Sequence, residues 1–285
     1  MQLRHKVPFL SIIAAVFLCA VAQSTETFLL KFSGVAVAGA QTTEIFGVNN
    51  AGAVVGYYIA SDGTEHGLLL RGKAVKNIDH PEAAGGTFCD NLNSKGTIVG
   101  YYYDDNMAHG FMYRDGAFTP IGPAGAQSIA SGINDNGEIV GGYDSNGVTR
   151  GFKWNGKTYT TLNVPGAMQT FAADINNSGQ ITLDWIDSNG NYQGALLSGG
   201  KYTKLKVPGA VQSIPDGIDT AGDVVFSWVD SNSQFHGALM IGNTFHKFNE
   251  PNATGDTYGS GINDNQLIAG QYVENGNTKS FKATY

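Results

Sequence analysis

The sequence predicts an all-β protein, a six-bladed β-propeller with four antiparallel strands in each blade. One short motif, an apolar residue between small or amide residues followed by a turn, occurs six times, at intervals of 41 to 44 residues. A fixed period in this range is typical of propellers, solenoids and related arrays. The six copies are Gly47-Val48-Asn49, Asn91-Leu92-Asn93, Gly132-Ile133-Asn134, Asp174-Ile175-Asn176, Gly217-Ile218-Asp219 and Gly261-Ile262-Asn263.

The third repeat shows the four strands of a blade most clearly. Its segments 128–133, 138–143, 149–154 and 157–164 are short and rich in β-branched and aromatic residues. Glycine-containing turns, such as Asn155-Gly156, separate these segments as tight hairpins require. No stretch of the repeat has a sustained helical period, so each repeat predicts one four-stranded sheet.

The two ends of the repeat region complement each other. The sixth repeat stops after its third strand, at Tyr285, while a strand-like segment at residues 27–32 precedes the first motif. Pairing these two segments would supply the missing fourth strand and leave no exposed sheet edge. A linear β-solenoid or prism, the alternative for this period, would instead need capping repeats at its ends. We therefore expect the ring to be closed by the N-terminal strand.

Residues 1–22 have the features of a secretory signal peptide. Arg4 and Lys6 precede an apolar run, and Ala20-Val21-Ala22 forms a small-residue cleavage site. The run is shorter than the roughly 20 residues that a membrane-spanning helix needs. We predict an exported protein, extracellular or periplasmic, soluble after cleavage, with a single propeller domain over residues 23–285.

Composition excludes several partner classes. The net charge is −7, and removal of Arg4 and Lys6 makes the balance more acidic. Nucleic-acid binding needs clustered basic residues, so we expect no such partner. Cys89 is the one cysteine after the signal peptide, and no two histidines have metal-ligand spacing. We expect no cofactor, no metal and a monomeric protein.

The predicted channel supplies the candidate site. The fourth residue of each innermost strand should face the axis, and four of these six residues are polar: Asp90, Ser131, Asp216 and Ser260. Asp90 and Asp216 belong to opposite blades, so they and the two serines could converge on a ligand. Paired carboxylates also serve glycoside hydrolysis, and Asp90 and Asp216 are the catalytic candidates if the protein is an enzyme. A merely hydrated channel is the simpler interpretation.

Aromatic residues form a second set of candidates. The second strand of every repeat carries one, and packing between blades is the simplest role for these rings. Trp185 and Trp228 belong to neighbouring repeats, so an alternative is a stacking platform for a sugar.

Three motifs carry a resemblance to a known repeat family. The segments 132–141, His109-Gly110-Phe111 and 164–167 resemble the HAF repeat of bacterial extracellular proteins. The resemblance extends over residues 27–285 and implies a secreted, propeller-like protein, but the family generally has no assigned activity and supplies no catalytic residues. The fourth and fifth repeats depart from its Ile-Val-Gly pattern, with Leu183 and Phe226 in place of the glycine.

These observations predict a secreted, non-catalytic binding or scaffold propeller that recognises a glycan or protein at one face of the ring. One alternative is a polysaccharide hydrolase or lyase that uses the channel carboxylates. Another is a purely structural repeat protein of the envelope or matrix.

Overall fold

The computed structural model describes residues 28–104 and 107–285, which form 24 β-strands and no helix. The predicted signal peptide lies outside these residues. The first eight strands are β1 (Lys31–Val35), β2 (Thr42–Val48), β3 (Val54–Ile59), β4 (Glu65–Arg71), β5 (Ala74–Asn77), β6 (Thr87–Leu92), β7 (Ile98–Asp104) and β8 (Met107–Arg114). The next eight are β9 (Ala117–Pro120), β10 (Ser128–Ile133), β11 (Ile139–Asp144), β12 (Thr149–Trp154), β13 (Tyr159–Leu162), β14 (Gln169–Ile175), β15 (Ile181–Ile186) and β16 (Tyr192–Ser198). The last eight are β17 (Lys201–Leu205), β18 (Gln212–Ile218), β19 (Val224–Val229), β20 (Phe235–Ile241), β21 (Thr244–Phe248), β22 (Thr257–Ile262), β23 (Leu267–Glu274) and β24 (Asn277–Thr284).

The strands form six antiparallel sheets of four, one for each repeat. In blades 1 to 5 the four strands follow one another in chain order, starting from β2, β6, β10, β14 and β18. These strands and β22 are innermost, since each contacts the innermost strands of both neighbouring blades, including β22 with β2. The chain is therefore a six-bladed β-propeller, as the sequence predicts.

Blade 6 contains both ends of the described chain. Its strand order is β1-β24-β23-β22, and the β1 register runs from Lys31 opposite Thr284 to Val35 opposite Ser280. Closure by an N-terminal strand is confirmed, but the strand lies a few residues later than the segment 27–32 that the sequence suggests. Phe28 precedes it and stacks on His246, with ring centroids 4.1 Å apart.

The hydrophobic core is divided among the six junctions between blades. Six clusters of buried side chains each combine residues from two neighbouring blades. Phe111, Phe152, Phe226 and Phe281 have no exposed surface. The free thiol of Cys89 is buried between blades 1 and 2. Each sheet is thus stabilised by its neighbours rather than by a core of its own.

A large residue opposite a small one explains the departure of blades 4 and 5 from the repeat pattern. In blade 2 Gly100 pairs with Phe111, and a Cβ at this glycine would overlap the carbonyl oxygen of Phe88. In blades 4 and 5 the sizes are exchanged, because Leu183 pairs with Ala195 and Phe226 pairs with Ala238. The packed volume is retained while the bulky side chain moves to the other strand.

A ring of side-chain hydrogen bonds joins the blades at one face. The amide nitrogen of Asn49 donates to the backbone carbonyl of Asn93, at 3.2 Å, and Asn93 donates to Asn134 in the same way, at 3.1 Å. Asn134, Asn176 and Asn263 continue the pattern, the last to the carbonyl of Asn49. The side-chain oxygen of each asparagine accepts bonds from its own turn, which fixes the amide towards the next blade.

The ring has one unmatched position, Asp219. Its carboxylate caps its own turn, with Oδ1 accepting from the backbone nitrogen of Asp223 at 2.9 Å. An ionised carboxylate cannot donate to the carbonyl of Asn263, so the link between blades 5 and 6 is missing from the ring. Burial, together with the charges of Asp223 and Asp264, raises the pKa of Asp219 to about 6.

We expect Asp219→Asn to complete the ring and stabilise the fold by about 1 kcal/mol, or roughly 2 to 4 °C in Tm. The folded-state pKa of Asp219 is raised, so its contribution to stability is present below about pH 4 and is lost as the pH rises through about 6. The advantage of the variant should therefore be small at pH 4 and full at pH 8 in thermal melts.

The matched control is Asn49→Asp, which removes a donor from the same ring and should lower Tm at pH 8. Equal melting temperatures for both variants and the original chain would show that the ring contributes nothing to stability.

Deletion of residues 28–35 should expose the edge of β24 and remove the contact of Phe32 with Phe281, whose ring centroids lie 5.1 Å apart. We expect Tm to fall by about 10 °C, from a loss of several kcal/mol at roughly 2 to 4 °C for each. Adding the missing segment back as a peptide should restore part of the loss. A melting temperature unchanged by the deletion would contradict closure by β1.

Candidate functional site: the central cup

The six channel residues predicted from the sequence all lie at β-bulges. In blade 2 the pairing of β6 with β7 shifts between Cys89 and Asn91, which leaves Asp90 as the extra residue. The same shift occurs in each of the other innermost strands. A bulge leaves one residue outside the ladder and redirects its side chain, here into the channel. The residues at the bulges are Phe46, Asp90, Ser131, Ala173, Asp216 and Ser260.

The residues that follow the bulges narrow the channel. Four of the six are glycines, and at Gly132 a Cβ would lie 2.7 Å from the Cα of Asp174 in the next blade. Asn91 reaches past Gly132 and donates to Asp174 Oδ1 at 2.9 Å. Asp174 Oδ2 accepts from the backbone nitrogen of Ile218 at 3.1 Å. This constriction separates a shallow depression lined by the asparagine ring from a cavity on its other side.

We call that cavity the central cup; its volume is about 290 Å³. It brings together four of the predicted ligand residues, Asp90, Ser131, Asp216 and Ser260. Its remaining lining combines aromatic rings with small and polar side chains: Phe46, Asn91, Phe171, Ala173, Ser227, Tyr258 and Gln271.

The carboxyl groups of the cup are poorly compensated. The carboxylate of Asp90 accepts no hydrogen bond from any residue of the described chain, and burial raises its pKa well above the usual range. Asp216 Oδ2 accepts from the backbone nitrogen of Ser227 at 2.8 Å. Burial raises the pKa of Asp216 as well, with a further contribution from the charge of Asp184.

Asp184 was not predicted from the sequence; it is not among the lining residues of the cup, but its charge acts on Asp216. It lies on β15, the second strand of blade 4, and burial raises its pKa to about 7. The candidate residues in the sequence came only from the innermost strands. Cross-strand register could have pointed to Asp184, because it occupies the same second-strand position as Tyr57, Tyr101 and Ser227 in blades 1, 2 and 5.

The two tryptophans lie apart from the cup. Trp185 and Trp228 are 6 % and 8 % exposed and belong to the hydrophobic clusters between blades. Lys204 and Lys247 cover their rings, at 5.0 and 4.1 Å from the ring centroids. They have the packing role that is the simpler interpretation of the sequence, and the structure does not bring them together as an open platform for a sugar.

Within residues 28–104 and 107–285, no group of three or more metal-ligating side chains is close enough to hold an ion. The same residues include no helix long and apolar enough to cross a membrane.

Because the pKa of Asp184 is raised in the folded state, the stability of the protein should depend on pH through this carboxyl group. A carboxyl group with a raised folded-state pKa stabilises the fold below about pH 4, and this contribution is lost as the pH rises through about 7. We expect Asp184→Asn to melt at a higher temperature than the original chain at pH 8 and at a similar temperature at pH 4. A lower melting temperature at pH 8 would show that the ionised carboxylate is stabilised by its surroundings.

Comparison with known proteins shows the fold. No family model matches the chain, and neither does any curated protein. Among solved structures, TolB from Acinetobacter baumannii aligns with 11 % identity and a TM-score of 0.59, over 82 % of this chain and 64 % of that one. This chain therefore spans less than two thirds of that protein. A protein described as TolB from Agrobacterium tumefaciens aligns with 14 % identity and a TM-score of 0.58, over 85 % and 90 % of the two chains.

A fungal lectin has a similar architecture. The lectin of Aleuria aurantia, a six-bladed propeller with a mode of fucose recognition described as novel, aligns with 14 % identity and a TM-score of 0.52. The alignment covers 85 % of this chain and 91 % of the lectin. At such identities the similarity is one of fold, and the chain is a six-bladed propeller similar in fold to TolB and to this lectin.

Proposed function

We propose that this chain is a non-catalytic binding propeller that recognises a glycan or protein ligand at the face on which the central cup opens. The observation that carries the proposal is the cup itself. It is concave, and it is lined by aromatic rings and a few convergent polar groups. Its volume of about 290 Å³ is close to the lower limit for ligand pockets, which range from roughly 300 to 1,000 Å³.

The electrostatics of the cup favour binding over catalysis. Glycoside hydrolysis uses two carboxyl groups that flank one bond. Burial alone raises the pKa of Asp90, and the charge that acts on Asp216 belongs to Asp184. Neither of these two shifts in pKa is caused by the other carboxyl group. The Aleuria lectin supports the proposal as an example of a six-bladed propeller that binds a sugar.

We also infer that the protein is exported as a monomer, with residues 1–22 removed and residues 23–285 forming one soluble propeller. The signal-peptide pattern of the sequence supports this inference. The repeat motifs support placing the chain among the HAF-type extracellular proteins.

A polysaccharide hydrolase or lyase remains the second candidate, and Asp184 is the observation that favours it. A carboxyl group with a pKa of about 7, whose charge acts on Asp216, has the properties of a general acid near neutral pH. This version of the enzyme would rely on Asp184 with Asp216 rather than on Asp90 with Asp216.

To test the binding proposal, residues 23–285 would be incubated with immobilised polysaccharides and with a panel of protein ligands. Ala173→Trp places a large ring in the cup and should reduce retention at least about tenfold without lowering Tm. Val75→Trp, at a position of β5 that is 42 % exposed, is the matched control and should bind normally. Equal binding by both variants would place the ligand outside the cup.

The same assay separates binding from catalysis. Release of new reducing or unsaturated ends, abolished by Asp184→Asn with retention intact, would replace the binding proposal with the enzymatic one. Retention without product supports the binding proposal.

A further inference from the structure

The hydroxyl groups that line the cup donate their protons to the protein. Ser131 Oγ donates to the carbonyl of Ala172 at 2.6 Å, and Ser260 Oγ donates to Gln271 Oε1 at 2.8 Å. Ser227 Oγ donates to the carbonyl of Gly259 at 3.3 Å. Because a hydroxyl group has one proton and two lone pairs, these serines present acceptors to the cavity.

The other polar side chains of the cup also use donor groups in hydrogen bonds within the protein. Tyr258 donates its phenolic proton to Asp256, at 3.0 Å. The amide nitrogen of Gln271 donates to the carbonyl of Ile45, and that of Asn91 donates to Asp174. The carboxylates of Asp90 and Asp216 are acceptors when ionised. The lining is therefore rich in free acceptors and poor in free donors.

The charged residues in and near the cup are also all acidic. Asp90 and Asp216 line it, and the charge of Asp184 acts on Asp216. None of the six innermost strands contains lysine, arginine or histidine, and no basic residue lines the cup among the described residues. Both carboxyl groups are half-buried, and a cationic ligand would supply the opposite charge that the lining lacks.

The aromatic rings that line the cup also favour a positively charged ligand. Phe46, Phe171 and Tyr258 line the cup, and Phe46 stacks beside Tyr57 with ring centroids 5.9 Å apart. The faces of such rings attract organic cations. Aromatic faces also pack well against the apolar face of a sugar ring.

We propose that the central cup binds an organic ammonium group carried by a sugar, a deacetylated amino sugar. The ammonium group has three donors and no acceptor, which matches the acceptor lining, and its charge matches the carboxylates. The sugar ring matches the aromatic wall and the volume of about 290 Å³. This inference rests on the proposed binding function and specifies its ligand class.

The test compares two ligands with the same sugar backbone, one with free amino groups that carry a positive charge and one with neutral acetylated amino groups. A tetramer of glucosamine and a tetramer of N-acetylglucosamine would be titrated into residues 23–285 at pH 7 by calorimetry. We expect the glucosamine tetramer to bind at least about tenfold more tightly. Asp90→Asn and Asp216→Asn should each remove most of that preference while the protein keeps its fold, because asparagine retains the size and an acceptor oxygen.

Asp115→Asn is the charge-matched control, since Asp115 lies in the exposed turn between β8 and β9 and should not affect binding. Equal affinity for the two tetramers would overturn the ammonium proposal and leave a glycan-binding cup in place. Binding of neither tetramer, combined with retention of another polysaccharide or a protein that Ala173→Trp abolishes, would also overturn it without affecting the proposed function. A glucosamine preference that persists in both channel variants would place the ammonium site elsewhere.

Discussion

The fold depends on a side-chain hydrogen bond that joins neighbouring blades at five of the six junctions. A single asparagine in the first turn of a blade performs two tasks, because its oxygen caps the turn and its nitrogen bonds the neighbouring backbone. The cap fixes the side-chain rotamer, so little further conformational entropy is lost when the second bond forms. Five of the six junctions have this bond, and its direction is the same around the ring.

This connection sets the dimensions of the channel. Innermost strands held together at the asparagine ring approach closely, and a Cβ at Gly47, Gly132 or Gly261 would come within 2.8 Å of the neighbouring strand. The two equivalent residues that are not glycine, Asn91 and Asp174, bond to each other across the intervening blade. The channel is narrowed at this level, and the bulged residues one step away line a cup rather than an open pore. The geometry of the site is thus a consequence of how the blades are joined.

Much of this architecture could be predicted from the sequence, because a repeat contains its own internal alignment. The period gave the number of blades, and the same position in each innermost strand identified the cup residues such as Asp90 and Ser131.

The exact bounds of strands and the residues on second strands were less predictable. The apolar run at residues 28–30 suggested a strand there, whereas β1 begins at Lys31 and Phe28 packs on His246 instead. Asp184 was not predicted because it lies on a second strand, where cross-strand register pairs it with the cup residue Phe171, and one repeat does not reveal this register. Trp185 could not be placed on the correct face without that register.

The repeats differ in the residues at their bulges, and these differences bear on the ligand that we propose. Residues that join the blades are nearly the same in every repeat, as the asparagines show, while the residues at the bulges vary. Three blades place a serine or an alanine there, which meets every structural need of the position. Asp90 occupies the equivalent place without a hydrogen-bonding partner in the described chain, and its raised pKa means that the folded protein disfavours its charged form. The ligand that we propose would supply to this carboxylate the hydrogen-bond donors and the positive charge that the described residues around it do not supply.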